Sequence, residues 1–252
     1  MSKIIALIFD FGGTLDGNGT HWLERTYQFI NKHHPEISRE EFDIADKAAV
    51  TEFALGGVST EGTYQEGSML PVGVSATDLT ASTCDFRETV DAIGAGIFTR
   101  LGLSIESKDD YVEWFCKGAE TNLTQNREWL QTLYGKYKLG VISNNFGNTA
   151  GWCDDYKLTP LLDVIIDSTV LGISKPEPGI FEAALSELGV SPNESIYIGD
   201  SYRADMVGAK GVGMWTAWMV GNQPKECLDL SVVDVQLSHL HELTDFLSTQ
   251  SV

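Results

Sequence analysis

Short apolar runs that each break off at a polar residue recur along this chain, and they restrict its fold more than any other feature. Ile4–Phe9 is continuously apolar and stops at Asp10. Lys138–Ser143 stops in a serine, Asp163–Asp167 in an aspartate and Ser195–Asp200 in Gly-Asp, and Met214–Val220 follows. Runs this short and uninterrupted read as strands buried on both faces of a parallel sheet. Helical patterns separate them. Leu130, Leu133, Tyr134 and Tyr137 keep helical spacing, as do Phe181, Ala184, Leu185 and Leu188, with Pro178 near the start and Gly189 just past the end. This alternation predicts an α/β fold with a doubly wound parallel sheet, a Rossmann-like core.

Between Asp16 and about Asn122 the period changes from that of strands to that of helices. Leu23, Tyr27 and Ile30 share one helix face. Ser38 and Glu41 form a capping box ahead of Phe42, Ala45, Ala49 and Phe53. Phe86, Val90, Ile93, Ile97 and Leu101 make a third stripe, and Tyr111, Trp114 and Phe115 a fourth. The pattern predicts an all-helical domain, residues 16–122, inserted into an α/β core built from 1–15 and 123–252. Gly56–Thr83, rich in Gly, Ser and Thr, reads as a long loop of the kind that is functional or disordered.

Charge and cysteine content exclude several classes of function. Lys plus Arg number 17 and Asp plus Glu 36, a net charge of −19, with no cluster of Lys and Arg. Such a surface repels a phosphate backbone, so no nucleic-acid partner is expected. The apolar start "KIIALIFD" is too short for a secretion signal or a membrane span, which predicts a cytoplasmic protein with no membrane partner. Cys84, Cys116, Cys153 and Cys227 share no close spacing, so a zinc knuckle or redox pair is not expected. Most of them read as buried thiols of a reducing compartment.

In an open parallel sheet, ligands bind beyond the carboxyl ends of the strands, where the strand order reverses. The residues at those ends are Asp10, then Ser143-Asn144-Asn145, then Lys175 within "SKPEP", then Asp200 with Asp205 five positions on. In this order they resemble the haloacid dehalogenase superfamily, whose members are mostly phosphatases. The first family motif, DxDx[TV], stands here as Asp10-Phe11-Gly12-Gly13-Thr14. The second is Ser143, the third Lys175-Pro176, and the fourth, GDx4D, Gly199-Asp200 with Asp205. "KPEPGIFEAAL" and "IYIGDSYRADMVGAKGVGM" are the most specific stretches, and the helical insert sits where the family places a C1-type cap.

The resemblance implies a hydrolase of a small phosphorylated metabolite that depends on Mg²⁺. Asp10 would be the nucleophile and pass through an aspartyl-phosphate. Asp10, Asp200 and the carbonyl of Gly12 would hold the metal, with Asp205 ligating directly or through a water. Lys175 would neutralise the nucleophile and the phosphate, and Ser143 and Asn144 would bind phosphate oxygens. These residue types suit the chemistry, because phosphoryl transfer needs an in-line nucleophile and compensation of charge on the equatorial oxygens.

Gly12 departs from the family pattern. Phosphatases of the family carry Asp there, which protonates the leaving oxygen and then activates the water that clears the aspartyl-phosphate. Glycine does neither, although its carbonyl can still reach a metal. General acid–base help is worth typically about 10²–10⁴-fold, and the deficit weighs on alkyl phosphates far more than on aryl or acyl phosphates. Three rescues are open: Asp16 as a nearby carboxylate, His21 or Glu24 as an acid from the insert, or a different chemistry. Under the last, a dehalogenase needs no metal, and a phosphonatase needs an insert lysine, for which Lys32 and Lys47 are the candidates. A protein that binds phosphate and metal without turning over is the remaining alternative.

Overall fold

The computed structural model describes residues 3–56, 80–221 and 229–249. Its six strands, β1 (Ala6–Phe9), β2 (Lys138–Ser143), β3 (Val164–Asp167), β4 (Ser195–Gly199), β5 (Trp215–Met219) and β6 (Val235–Leu237), form one sheet in the order β3-β2-β1-β4-β5-β6. Every neighbouring pair is parallel. The first five are the expected apolar runs. β6, a short edge strand, is an addition that the sequence reading did not contain.

Side chains of β1 divide between two cores, as a strand's twofold period requires. Leu7 and Phe9 join a cluster on one face of the sheet with Leu139, Val141, Ile196 and Ile198. Ala6 and Ile8 join a second cluster on the other face with Ile142, Val164 and Tyr197. Helices cover both faces, which is why these strands are apolar throughout. On the second face lie α7 (Pro178–Leu188) and α8 (Gly208–Gly211); on the first lie α5 (Thr149–Asp155) and α9 (Leu243–Thr249). α6 (Ser168–Leu171) is a single turn after β3. Pro178 opens α7 and Gly189 closes it at φ +61°, both where the sequence places them.

Among the described residues, four α-helices stand between β1 and β2: α1 (Trp22–His33), α2 (Arg39–Ala54), α3 (Phe86–Arg100) and α4 (Ile105–Leu133). Ser38 and Glu41 form the capping box expected ahead of α2. α4 runs without a break through residues 122 and 123, where the sequence reading set the end of the insert, and carries straight into the core. Leu130 and Leu133 close this helix, while Tyr134 caps it and Tyr137 lies beyond its end, so the separate helix expected there is the last turn of α4. Of the Gly56–Thr83 loop, residues 57–79 lie outside the described residues, and Thr80–Thr83 form a 3₁₀ turn. Cys227 also lies outside them, whereas Cys116 and Cys153 are buried as expected and Cys84 is half-buried. Burial pushes the thiols of Cys116 and Cys153 up to about 11 and about 12. Among the described residues no helix is long and apolar enough to cross a membrane.

Candidate active site

The order of the strands puts β1 between β2 and β4, so the chain leaves β1 for one side of the sheet and later returns to the other. That switch point opens a crevice at the carboxyl ends of the three strands. Asp10 follows β1, Ser143 ends β2 and Asp200 follows β4. The Asp10 N–H donates to the Ile198 carbonyl at 2.8 Å, so the backbone of Asp10 is still tied to the sheet. One cavity of about 370 Å³ is lined by Asp10, Gly12, Ser143, Asn144, Lys175, Asp200 and Asp205, the seven residues to which the family resemblance assigns nucleophile, metal and phosphate roles.

Lys175 is the hub. Its ammonium donates to Asp10 Oδ1 at 2.7 Å, to Asp205 Oδ1 at 2.7 Å and to the Tyr197 hydroxyl at 3.0 Å, which uses all three of its protons. Burial alone would pull this ammonium down, but Asp10, Asp205 and Tyr197 outweigh it and hold the pKa well above its ordinary value. Tyr197 lies in β4 and donates onward to the Ile142 carbonyl at 3.0 Å. Asn144 fixes the lysine backbone: its Oδ1 accepts from Lys175 N at 2.8 Å and its Nδ2 donates to Lys175 O at 3.0 Å. The Asn144 side chain is thus engaged with the backbone of Lys175 while it lines the cavity.

The carboxylates outnumber the ammonium. Oxygens of Asp10, Asp200 and Asp205 lie within 4.8 Å of one another, and all three residues are buried. Burial pushes Asp10 up to about 8, with Asp205 and Asp200 adding to the rise and Lys175 opposing it. Three buried carboxylates against one ammonium suit a hard divalent cation that takes oxygen ligands, which would restore charge balance. Asp205 is tied further to the loop after β4, since its Oδ2 accepts from Ser201 N at 2.9 Å. Gly13 makes room for the cluster. It has φ +83°, and a Cβ there would stand 2.7 Å from the Asp200 carboxylate, so glycine is required on both counts.

Gly12 is under no such constraint. Its φ is −72° and its ψ 121°. A Cβ there would meet Trp22 Nε1 at 3.5 Å, an ordinary contact. Neither backbone conformation nor lack of space for a Cβ accounts for glycine at this position.

The candidates for a substitute acid fare differently. Asp16 is fully buried and accepts from Gly13 N at 2.6 Å, Trp22 Nε1 at 2.7 Å and Arg25 Nη1 at 2.8 Å. It is a structural anion that ties the loop after β1 to α1, and it does not line the cavity. Asn122 and Asn126 of α4 hold the same loop through the carbonyls of Asp16 and Leu15, each at 2.7 Å. His21 lines the cavity but also caps α1, accepting from Leu23 N. Glu24 pairs with Arg39, and neither Lys32 nor Lys47 lines the cavity. Arg25→Met is expected to cost about 3–5 kcal/mol of stability, because it leaves Asp16 buried without its counter-charge. Urea unfolding measures this, and a loss below about 1 kcal/mol would contradict the anchoring role.

Several residues at the site were not found from the sequence. Tyr197 left a trace, a hydroxyl-bearing side chain in the middle of a wholly apolar run. Asp46 left another. It stands four residues after Phe42 and four before Val50, inside the apolar stripe of α2, and it lines the cavity from the insert side. Burial pushes its carboxyl up to about 6, against the pull of nearby His21. Trp22 and Trp152 left none: they stack 5.4 Å apart with their planes at 5°, Trp22 from α1 of the insert and Trp152 from α5 of the core.

A family model described as haloacid dehalogenase-like hydrolase matches residues 4–213. The chain belongs to this family of hydrolases. It is 34% identical over 122 residues to the bovine (Bos taurus) haloacid dehalogenase-like hydrolase domain-containing protein 3, covering 45% of this chain and 47% of that one. It is 34% identical over 98 residues to a glyceraldehyde 3-phosphate phosphatase of Pyrococcus furiosus, covering 38% and 40%. The chain spans about half or less of the length of the curated relatives it matches. Among solved structures, a phosphatase of the family from Thermococcus onnurineus superposes with a TM-score of 0.53 at 22% identity, over 99% of this chain and 100% of that one. The L-2-haloacid dehalogenase RSc1362 superposes with a TM-score of 0.59 at 16% identity, over 98% and 100%. These likenesses show the shared fold, which carries both chemistries and does not choose between them.

Proposed function

We propose that this protein is a Mg²⁺-dependent phosphatase of a small phosphorylated metabolite, with Asp10 as nucleophile. The observation that carries the reading is the cluster at the strand ends: three buried carboxylates within 4.8 Å of one another, two of them sharing the ammonium of Lys175. The names of the Pyrococcus furiosus relative and of two further relatives, all glyceraldehyde 3-phosphate phosphatases, support it.

Asp10, Asp200 and the Gly12 carbonyl would hold Mg²⁺, with Asp205 as a direct or water-linked partner; when bound, the ion supplies positive charge against the phosphoryl oxygens. Asp10 attacks phosphorus, held in place by its hydrogen bond from Lys175 and by its tie to the sheet. Lys175 offsets charge on the nucleophile and on the incoming phosphate. Ser143 and backbone N–H groups beside it bind phosphate oxygens, and Asn144 serves chiefly by fixing the backbone of Lys175. Gly12 leaves the leaving oxygen without a proton donor, and Asp16 is committed to Arg25 and Trp22. The absence of a cavity-lining lysine from the insert among the described residues counts against a phosphonatase.

The deciding experiment is a panel of phosphorylated metabolites, assayed for phosphate release with and without Mg²⁺. Release that needs the metal is the expected result. Gly12 favours one competing reading, a protein that binds phosphate and metal without turnover, and binding without release would select it. Metal-independent halide release from haloacids would overturn both. In Mg²⁺ titrations Asp200→Asn is expected to weaken apparent affinity by at least about 100-fold and Asp205→Asn by about 10-fold. Equal losses would mean that the two aspartates ligate alike.

A further inference from the structure

Resting on the phosphatase reading above, we propose that the substrates are aryl phosphomonoesters, whose leaving group is an uncharged aromatic ring seated between the nucleophile and the helical insert. Three independent features of the site lead there.

The first is the wall that faces the nucleophile. From the insert it is built of Trp22, Leu23, Val50, Val90 and Ile93, and Trp152 of α5 completes it. Trp22 and Trp152, whose rings lie parallel with centroids 5.4 Å apart, both line the cavity. A planar apolar group gains from such a surface by burial and by ring contact, and the polar side chains that the insert adds to the lining are His21, Thr26, Asp46 and Tyr111.

The second is charge. Among the described residues that line the cavity, Lys175 is the sole lysine or arginine, and its protons are taken by Asp10, Asp205 and Tyr197. The wall offers no lysine or arginine to a second phosphate or a carboxylate. Asp46 on that wall repels one. Substrates with a second anionic group are therefore disfavoured by desolvation as well as by repulsion.

The third is Gly12. The Trp22 indole lies within ordinary contact distance of the point where a residue-12 side chain would begin. The place of an acid is thus next to an aromatic surface. In the first step a bond forms between an Asp10 oxygen and phosphorus, and the P–O bond to the aryl group breaks. The aryloxide departs with the electron pair and takes its proton from solvent. Water then attacks phosphorus, the Asp10–phosphorus bond breaks, and the proton lost by that water balances the one taken by the aryloxide. An aryloxide leaves without protonation far more readily than an alkoxide, so this site needs no residue-12 acid for its first step.

The test is binding to Asp10→Asn, which retains the cavity and does not turn over, by calorimetry in Mg²⁺. The probes are 2-naphthyl phosphate, glycerol phosphate and a phosphorylated hydroxy acid. The inference expects 2-naphthyl phosphate to bind at least about tenfold more tightly than either of the others. It expects Val50→Asn and, separately, Leu23→Asn to abolish most of that preference while leaving the affinity for inorganic phosphate unchanged. Equal or weaker binding of the naphthyl ester overturns it, as does a preference that survives both substitutions. The wild-type chain assayed on the same compounds separates the two readings. No phosphate release with naphthyl-selective binding removes the phosphatase and keeps the aromatic site. Release from glycerol phosphate as fast as from the naphthyl ester keeps the phosphatase and removes the aromatic preference.

Discussion

Asp10→Asn is expected to lower phosphatase turnover by at least about 10⁴-fold, since removal of a nucleophile takes with it the whole covalent route. The fold should not suffer. The asparagine oxygen can still accept from Lys175, and the substitution removes one of three carboxyl groups that crowd a single ammonium. The metal-free protein should show this as a pH effect. Burial raises Asp10 from 3.8 in the unfolded chain to about 8 in the folded one. Between those values the folded state binds more protons than the unfolded state, so stability falls as pH rises. Asp10→Asn should remove that decline, and thermal unfolding of both proteins between pH 5 and about 8 measures it. Turnover within a factor of about ten of the parent would rule out the covalent mechanism.

Gly12→Asp is the second large effect, in the opposite direction. The backbone at residue 12 suits any residue, and a Cβ meets Trp22 at no less than 3.5 Å. The variant should therefore fold. For alkyl phosphates kcat/KM should rise by roughly 10²-fold or more, because the alkoxide gains a proton donor. For aryl phosphates kcat/KM should hardly change, since it reports the step in which an aryloxide leaves unaided. Steady-state kcat should rise for both, as the new carboxylate can also activate the water that clears the phosphorylated Asp10. The parent protein should accordingly release about one aryl alcohol per molecule in a rapid first phase and then slow down. In Gly12→Asp that phase should merge with the steady state. If the variant folds and alkyl-phosphate hydrolysis does not rise, the missing acid is not what limits this protein, and binding without turnover becomes the better reading.

The site was open to sequence reading to the extent that its parts sit at the ends of strands. Asp10, Ser143, Lys175, Asp200 and Asp205 each follow or close an apolar run or a motif, and a buried parallel strand writes itself into sequence as a continuous apolar run. β6 was missed because it is three residues long with a polar residue at its centre, Val-Gln-Leu, too short for a period to be seen. Asp16 and Asp46 show the opposite limit. Both are carboxylates in or beside helical segments, and nothing local distinguishes the one that is locked to Arg25 from the one that faces the cavity.

By itself the sequence determined the parallel sheet, the helical insert after the first strand, the set of polar residues at the strand ends and the absence of a carboxylate at residue 12. These follow from local periodicity and from residue identity, which require no knowledge of distant partners. The tertiary structure alone decided that Lys175 rests on Tyr197, that Asn144 is occupied by the backbone of Lys175, that Asp16 is an anchor, and that Trp22 stacks on Trp152. Each is a contact between residues from different elements, and its geometry exists only once the chain has closed, since hydrogen bonds and ring contacts act over a few ångströms in space and have no fixed spacing in sequence.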